Sequence, residues 1–394
     1  MLLLKNVRVV DGAGLRQARA DVLLRDERIE RISPQPIVEP AATALDLAGM
    51  TVVPGLMNAH THICLNGLAD PEGALRGETP AETAVRSARR LAETLRMGVT
   101  TIRDLGGPSH IDIALKRMVE RGEIAGPRML VSGRVITMTG GHGYWTGREV
   151  DGPAEARKGA REQLKAGANV IKVMATGGMM TAGQAAGAPQ LTVEEMTAAI
   201  EEAHKAGFKT AAHVESAAGA RNAILAGVDS VEHGHGSDQA VIDLMVERNV
   251  ALVPTIASDV AINERGVEAG IPLFVVEKCK PMFESLLRTF ELARKAGVLI
   301  VAGNDGGAPF VHCGDIVTEL ELYVKYGMTP LEALRTATSS AAYLFGLVDV
   351  GELAAGCRAD LLVVAGDPLQ SISALRNPRY VIQAGKIVHA APAS

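Results

Sequence analysis

Apolar and polar positions alternate over short stretches at both ends of the chain and follow a longer, helical rhythm between them. Near the start, Leu3-Leu4-Lys5-Asn6-Val7-Arg8-Val9-Val10 runs into the turn pair Asp11-Gly12, and Ala20-Asp21-Val22-Leu23-Leu24 follows. Such runs bounded by turn residues predict short strands. The pattern returns in Ala359-Asp360-Leu361-Leu362-Val363-Val364 and again over residues 380–388. These two β-rich ends, 1–53 and 348–394, are expected to pair into one small β-sandwich domain.

Between them, over 54–347, helical and strand patterns alternate. Gly98, Gly167, Gly207, Gly227 and Gly297 each follow a helical stretch and precede an apolar, β-branched run. Glycine suits the position just past a helix, where the backbone turns left-handed. Helix starts are legible at Thr79-Pro80-Ala81-Glu82, Thr192-Val193-Glu194-Glu195 and Thr329-Pro330-Leu331-Glu332, each pairing a threonine cap with a glutamate three residues on. The candidate strands are 52–60, 99–104, 129–132, 170–174, 210–213, 230–233, 251–254 and 299–305. Eight strands alternating with helices predict an α/β fold, a (β/α)₈ TIM barrel, with its active site at the C-terminal ends of the strands. An open doubly wound sheet is disfavoured, because no glycine-rich phosphate fingerprint follows the first strand and the chemically interesting residues are spread along the whole count.

Composition narrows the function without choosing it. Of 394 residues, 47% are hydrophobic and 22% charged, enough apolar material for a large core. A net charge of −5, with no basic stripe, argues against a nucleic-acid partner. The four cysteines form no C-x-x-C pair, which speaks against a zinc module or disulfide framework and for a reducing, cytoplasmic setting. No signal peptide is read at the N-terminus, and no apolar run approaches the roughly 18 residues of a membrane span.

Candidate chemistry gathers at the predicted strand ends. Asn58-Ala59-His60-Thr61-His62 places two imidazoles on one face of the first barrel strand, a spacing that can chelate one metal. Lys172 lies inside the apolar run Val170-Ile171-Lys172-Val173-Met174, where an unpaired ammonium is costly. A buried ion pair would answer this. So would reaction with CO₂ to a carbamate, whose two oxygens can bridge two cations. His213, His233 and Asp305 end later strands, so six metal-competent side chains converge on one rim. Behind them stand His235 as a supporting group, His312 and Cys313 after the eighth strand, and His110, His204 and His389, which read as surface positions.

The segments Val53-Pro54-Gly55-Leu56-Met57-Asn58-Ala59-His60-Thr61-His62, Ile171-Lys172-Val173, His213, Val231-Glu232-His233-Gly234 and Ala302-Gly303-Asn304-Asp305 resemble the amidohydrolase superfamily, in its binuclear, carboxylated-lysine branch. Thr139-Gly140-Gly141-His142-Gly143 and 226–233 are similar to its Xaa-Pro dipeptidase and metal-dependent carboxypeptidase group. The resemblance implies two divalent metals, zinc first, with His60, His62 and Asp305 on one, His213 and His233 on the other, and carboxylated Lys172 between. It further implies attack on an amide by a hydroxide between the metals, Asp305 as proton shuttle, and His142 as a catalytic or substrate-binding group. The resemblance also implies a homo-oligomer, an octamer among the family's forms. Tyr144 and Trp145 would shape the pocket or serve in packing, and the Ala- and Met-rich residues 174–189 would form a lid or an ordinary mobile surface loop. The substrate would be a small molecule: an Xaa-Pro dipeptide or an N-acyl amino acid with a free carboxylate. An ochratoxin-like amide, an imidazolonepropionase-like cyclic amide, a lactone or an organophosphate are alternatives, as is a non-catalytic scaffold. A mononuclear deaminase is disfavoured by Lys172 and by the position of Glu215.

Overall fold

The computed structural model describes residues 1–392. Eight strands from the two ends of the chain build one sheet, in the order Lys386–Ala390, Tyr380–Gln383, Leu361–Ala365, Met50–Pro54, Leu2–Asp11, Gly14–Arg25, Arg28–Ser33, with Thr43–Asp46 paired to Leu2–Asp11. The seam between the two ends is antiparallel and runs from Leu361 opposite Pro54 to Ala365 opposite Met50. Alternation puts Leu4, Val9, Val22, Leu24, Val52, Leu361 and Val363 into a shared apolar layer.

The first barrel strand was expected to run unbroken over 52–60, and the structure corrects this. Met50–Pro54 belongs to the terminal sheet and Leu56–Thr61 to the barrel. Gly55 is the joint. A β-carbon there would fall 2.2 Å from Thr100 Oγ1, so only glycine lets the chain pass this close. Its amide donates to Asp360 O at 2.8 Å, while Leu56 N turns to Gly98 O.

Leu56–Thr61, Val99–Asp104 and Arg128–Val131 form one parallel arc. Val170–Met174, Lys209–Val214, Ser230–His233 and Ala251–Val253 form another. The arcs close into a (β/α)₈ barrel. Asn169 N donates to Val131 O on one side, and residues 299–306 fill the other. Those residues, expected as an eighth strand over 299–305, form no regular ladder. Leu252 N reaches Leu299 O, Val301 N reaches Leu252 O, and Ala59 N reaches Ala302 O. Near the rim, side-chain amides take over from the ladder: Asn58 Nδ2 donates to Asn304 Oδ1 at 2.7 Å.

Two short strands that the sequence pattern does not single out, Ile136–Met138 and Arg148–Val150, extend the second arc beside Val173. The turn between them carries His142. The three capping boxes are formed as expected, at Thr79, Thr192 and Thr329. All five helix-ending glycines have positive φ. No helix among the described residues is long and apolar enough to cross a membrane.

Candidate metal centre

His60, His62, Lys172, His213, His233 and Asp305 all line one cavity at the C-terminal end of the barrel, about 760 Å³ including its open mouth. The first strand delivers His60 and His62 with both Nε2 atoms turned inward, 3.3 Å apart, and each 3.5 Å from Asp305 Oδ1. Their other ring nitrogens are tied back. His60 Nδ1 meets Glu232 Oε2 at 2.8 Å, and His62 Nδ1 donates to Gly106 O at 3.2 Å. A ring held at Nδ1 keeps the Nε2 lone pair for a cation.

Glu232 is itself held in place. Its Oε1 accepts from Arg103 Nη2 at 2.8 Å and Ser230 Oγ at 2.6 Å, while Arg103 Nε donates to Ala59 O. Both charged side chains are fully buried. Neither is assigned a part by the sequence reading, although a charge inside an apolar strand is the signal that marks Lys172.

His233 and Asp305 share a backbone feature. Both adopt left-handed conformations, with φ of 66° and 56°. Each costs about 1 kcal/mol or more for a residue with a β-carbon and aims the side chain back into the cavity as its strand ends. His233 Nδ1 is held by Thr255 Oγ1 at 2.7 Å. His213 Nε2 is buried and has no hydrogen-bond partner among the described residues. His213 packs 4.7 Å from His233 and 4.2 Å from His142, ring centre to ring centre.

Burial sets the charge state of this cluster. It holds His60, His213 and His233 well below the ordinary imidazole range and His62 at about 4, with the charge of Lys172 contributing to each. The histidines are therefore neutral and carry lone pairs. Burial also brings the Lys172 ammonium down to about 8, against the opposing pull of Glu232 and Asp305, and raises Asp305 to about 7. Among the described residues, the donor atoms of His60, His62 and Asp305 lie close enough together to hold an ion. Together with the orphaned His213 Nε2, this donor set fits divalent metals.

Around the centre, His142 is neutral, its pKa lowered to about 3 by burial and by Lys172, and its Nδ1 lies 2.8 Å from Thr181 Oγ1. Trp145 lines the cavity, whereas Tyr144 lines the neighbouring groove and pairs with Arg76. The loop after Lys172 contributes Met179 and Met180 to the cavity lining. His235, Glu215 and Asp259 also line it, with His235 Nε2 bonded to Asp259 Oδ2 at 2.9 Å. The sequence reading leaves Asp259 out and keeps Glu215 only as a misplaced deaminase acid. Two-residue spacing from His213 was the available signal for Glu215. His312 lies outside the cavity, 3.5 Å from Glu93, and Cys313 is buried beside Arg90. His204 is exposed, and His110 and His389 are partly buried away from the cavity.

The model of the amidohydrolase family matches residues 51–388. The chain belongs to that family. This amidohydrolase is 32% identical to ochratoxinase of Aspergillus niger over 372 residues, 85% of this chain and 74% of that protein. It superposes on a Xaa-Pro dipeptidase with methionine bound in its active site at a TM-score of 0.92, with 30% identity, covering 98% of this chain and 99% of the other. A prolidase complexed with N-methylphosphonate-L-proline matches with a TM-score of 0.92 and 29% identity, over 99% and 100% of the two chains. The amidohydrolase is thus an enzyme of hydrolytic carbon–nitrogen cleavage.

Proposed function

We propose that this amidohydrolase cleaves the amide bond of Xaa-Pro dipeptides or of N-acyl amino acids that carry a free carboxylate. The observation that carries the reading is the ring of neutral, converging imidazoles closed by Asp305, with Lys172 buried in the same cavity. His60, His62 and Asp305 would hold one metal, His213 and His233 a second, and Lys172 as a carbamate would link them. A lysine lowered to about 8 keeps a reactive fraction of neutral amine near neutral pH, the form that adds CO₂. Imidazole and carboxylate donors suit zinc, with manganese, cobalt and iron as substitutes. When bound, the metals supply activation of water and polarisation of the scissile carbonyl.

The protein's own groups do the rest. Asp305 accepts a proton from the attacking water and delivers it to the departing nitrogen, so the amide and one water become an acid and an amine. Thr181 Oγ1, which accepts from Gly143 N at 3.4 Å, can donate its hydroxyl proton to His142 Nδ1, 2.8 Å away. In that tautomer His142 carries Nε2–H as a donor, suited to the developing carbonyl oxygen or to the substrate carboxylate. The apolar wall of Leu65, Trp145, Met179 and Ile262 excludes water and accommodates a proline ring or aliphatic side chain.

Hydrolysis of a library of dipeptides and N-acyl amino acids, with zinc and bicarbonate present, tests the proposal. Turnover of substrates with a free C-terminal carboxylate is expected. Absence of bound metal after gentle purification, together with no metal-restored hydrolysis, would refute it. An ochratoxin-like amide is the second reading, favoured by the likeness to ochratoxinase.

A further inference from the structure

Glu215 stands two residues beyond His213, in the bend just past the end of the strand Lys209–Val214. Its side chain is more than nine-tenths buried and lines the cavity. Oε1 accepts weakly from Met179 N at 3.3 Å and lies 3.5 Å from His213 Nε2. Oε2 has no partner among the described residues. His235 Nε2 is bonded to Asp259, its Nδ1 being without a partner among the described residues, and Lys278 Nζ donates to Thr181 O at 2.7 Å and Gly178 O at 3.3 Å. This wall of the cavity thus holds two carboxylates, one imidazole and an unfilled acceptor, in a place where an unpaired carboxylate is costly to bury.

Resting on the hydrolase reading above, we propose that Glu215 receives the free α-ammonium of a dipeptide, so that the enzyme discriminates against dipeptides whose N-terminus is blocked. A carboxylate can only accept, so its missing partner is a donor. In a dipeptide the α-nitrogen lies two bonds, about 2.5 Å, from the scissile carbonyl carbon. A carbonyl seated beside His213 therefore brings the ammonium within reach of the Glu215 carboxylate. An N-acyl group would place a neutral amide with a single N–H there and push its own carbonyl oxygen and carbon chain against the Glu215–Met179 wall.

The test compares alanyl-proline with N-acetyl-alanyl-proline on the metal-loaded enzyme and on Glu215→Gln. The wild type is expected to prefer the free dipeptide by on the order of 100-fold in kcat/KM, as sites built to pair a polar group reject analogues that lack it. Glu215→Gln should retain its metal, measured by elemental analysis, and lose at least about tenfold of that preference. Calorimetry gives a readout independent of turnover, using the phosphonate analogues of glycyl-proline with and without the terminal amine. The amine should tighten binding to the wild type and make little difference to the variant. Equal or better use of the acetylated substrate, an unchanged preference in Glu215→Gln, or loss of metal in that variant would each overturn the proposal. In the last case Glu215 would be a metal ligand. If neither peptide is cleaved, the hydrolase reading itself fails, whereas cleavage of the acetylated peptide alone sinks only the ammonium site.

Discussion

At the residue scale, the pair Arg103–Glu232 carries the heaviest energetic stake outside the metal ligands. Glu232→Gln would leave the Arg103 guanidinium buried without its counter-charge and His60 Nδ1 without a carboxylate. Breaking a buried pair from one side costs about 3–5 kcal/mol. Urea denaturation should show a loss of that size, and metal affinity should fall with it, because His60 would lose its orienting partner. A change under about 1 kcal/mol with unaltered metal binding would contradict this role. Asp305→Asn should lower kcat by about 10³-fold or more, since an amide side chain cannot take up the proton that the leaving nitrogen needs. Lys172→Ala should lose metal and activity, with partial rescue by a short carboxylic acid; full activity without rescue would exclude a bridging role. The ligand residues stand out in the sequence because each is a polar side chain at the end of an apolar run or, for Lys172, within one. Arg103 and Glu232 bear the same mark but sit next to Asp104 and His233, so their burial was hidden among neighbours that also carry polar groups.

At the scale of elements, helix ends were the most legible features, because caps and C-terminal glycines act through local backbone geometry. Strand limits were less so. The run 52–57 carries no polar side chain, and nothing local tells that Gly55 passes the chain from one sheet to another; the reason is the neighbouring Thr100, a long-range contact. The stretch 299–305 has strand-like composition, but Asn58 and Asn304 replace the ladder near the rim, and Asp305 turns left-handed. Residues 136–150 depart from both helical and strand periods, since their two three-residue strands serve to carry the His142 turn. That turn is packed against the loop after Lys172. A β-carbon on Gly178 would lie 2.3 Å from His142 Cε1, closer than real contacts permit. Gly178→Ala should therefore displace the ring or the loop, with kcat lowered by about 10-fold or more and the melting temperature nearly unchanged, because no core packing is lost. Equal losses of stability and activity would point to general misfolding instead.

At the scale of the whole molecule, the barrel and the terminal sheet share apolar packing. Val10, Val53, Leu362, Val364 and Val381 from the sheet belong to the same continuous core as Ile102, Ile171, Val214 and Val231 from the barrel strands. This continuity predicts one cooperative unfolding transition for the whole chain. The single tryptophan, Trp145, lines the metal cavity, so its fluorescence reports on the catalytic end of the barrel, while circular dichroism reports on all elements together. Bound metal would favour only the folded state, since the donor cluster exists only when distant strands meet. Its contribution is about 2.7 kcal/mol when free metal stands at 100 times its dissociation constant. Chelation should lower the denaturation midpoints of both probes together, leave their slope against denaturant unchanged, and allow zinc to restore them. A fluorescence transition that moves while dichroism stays fixed would show that the catalytic end opens by itself, and that the shared core does not couple it to the sheet.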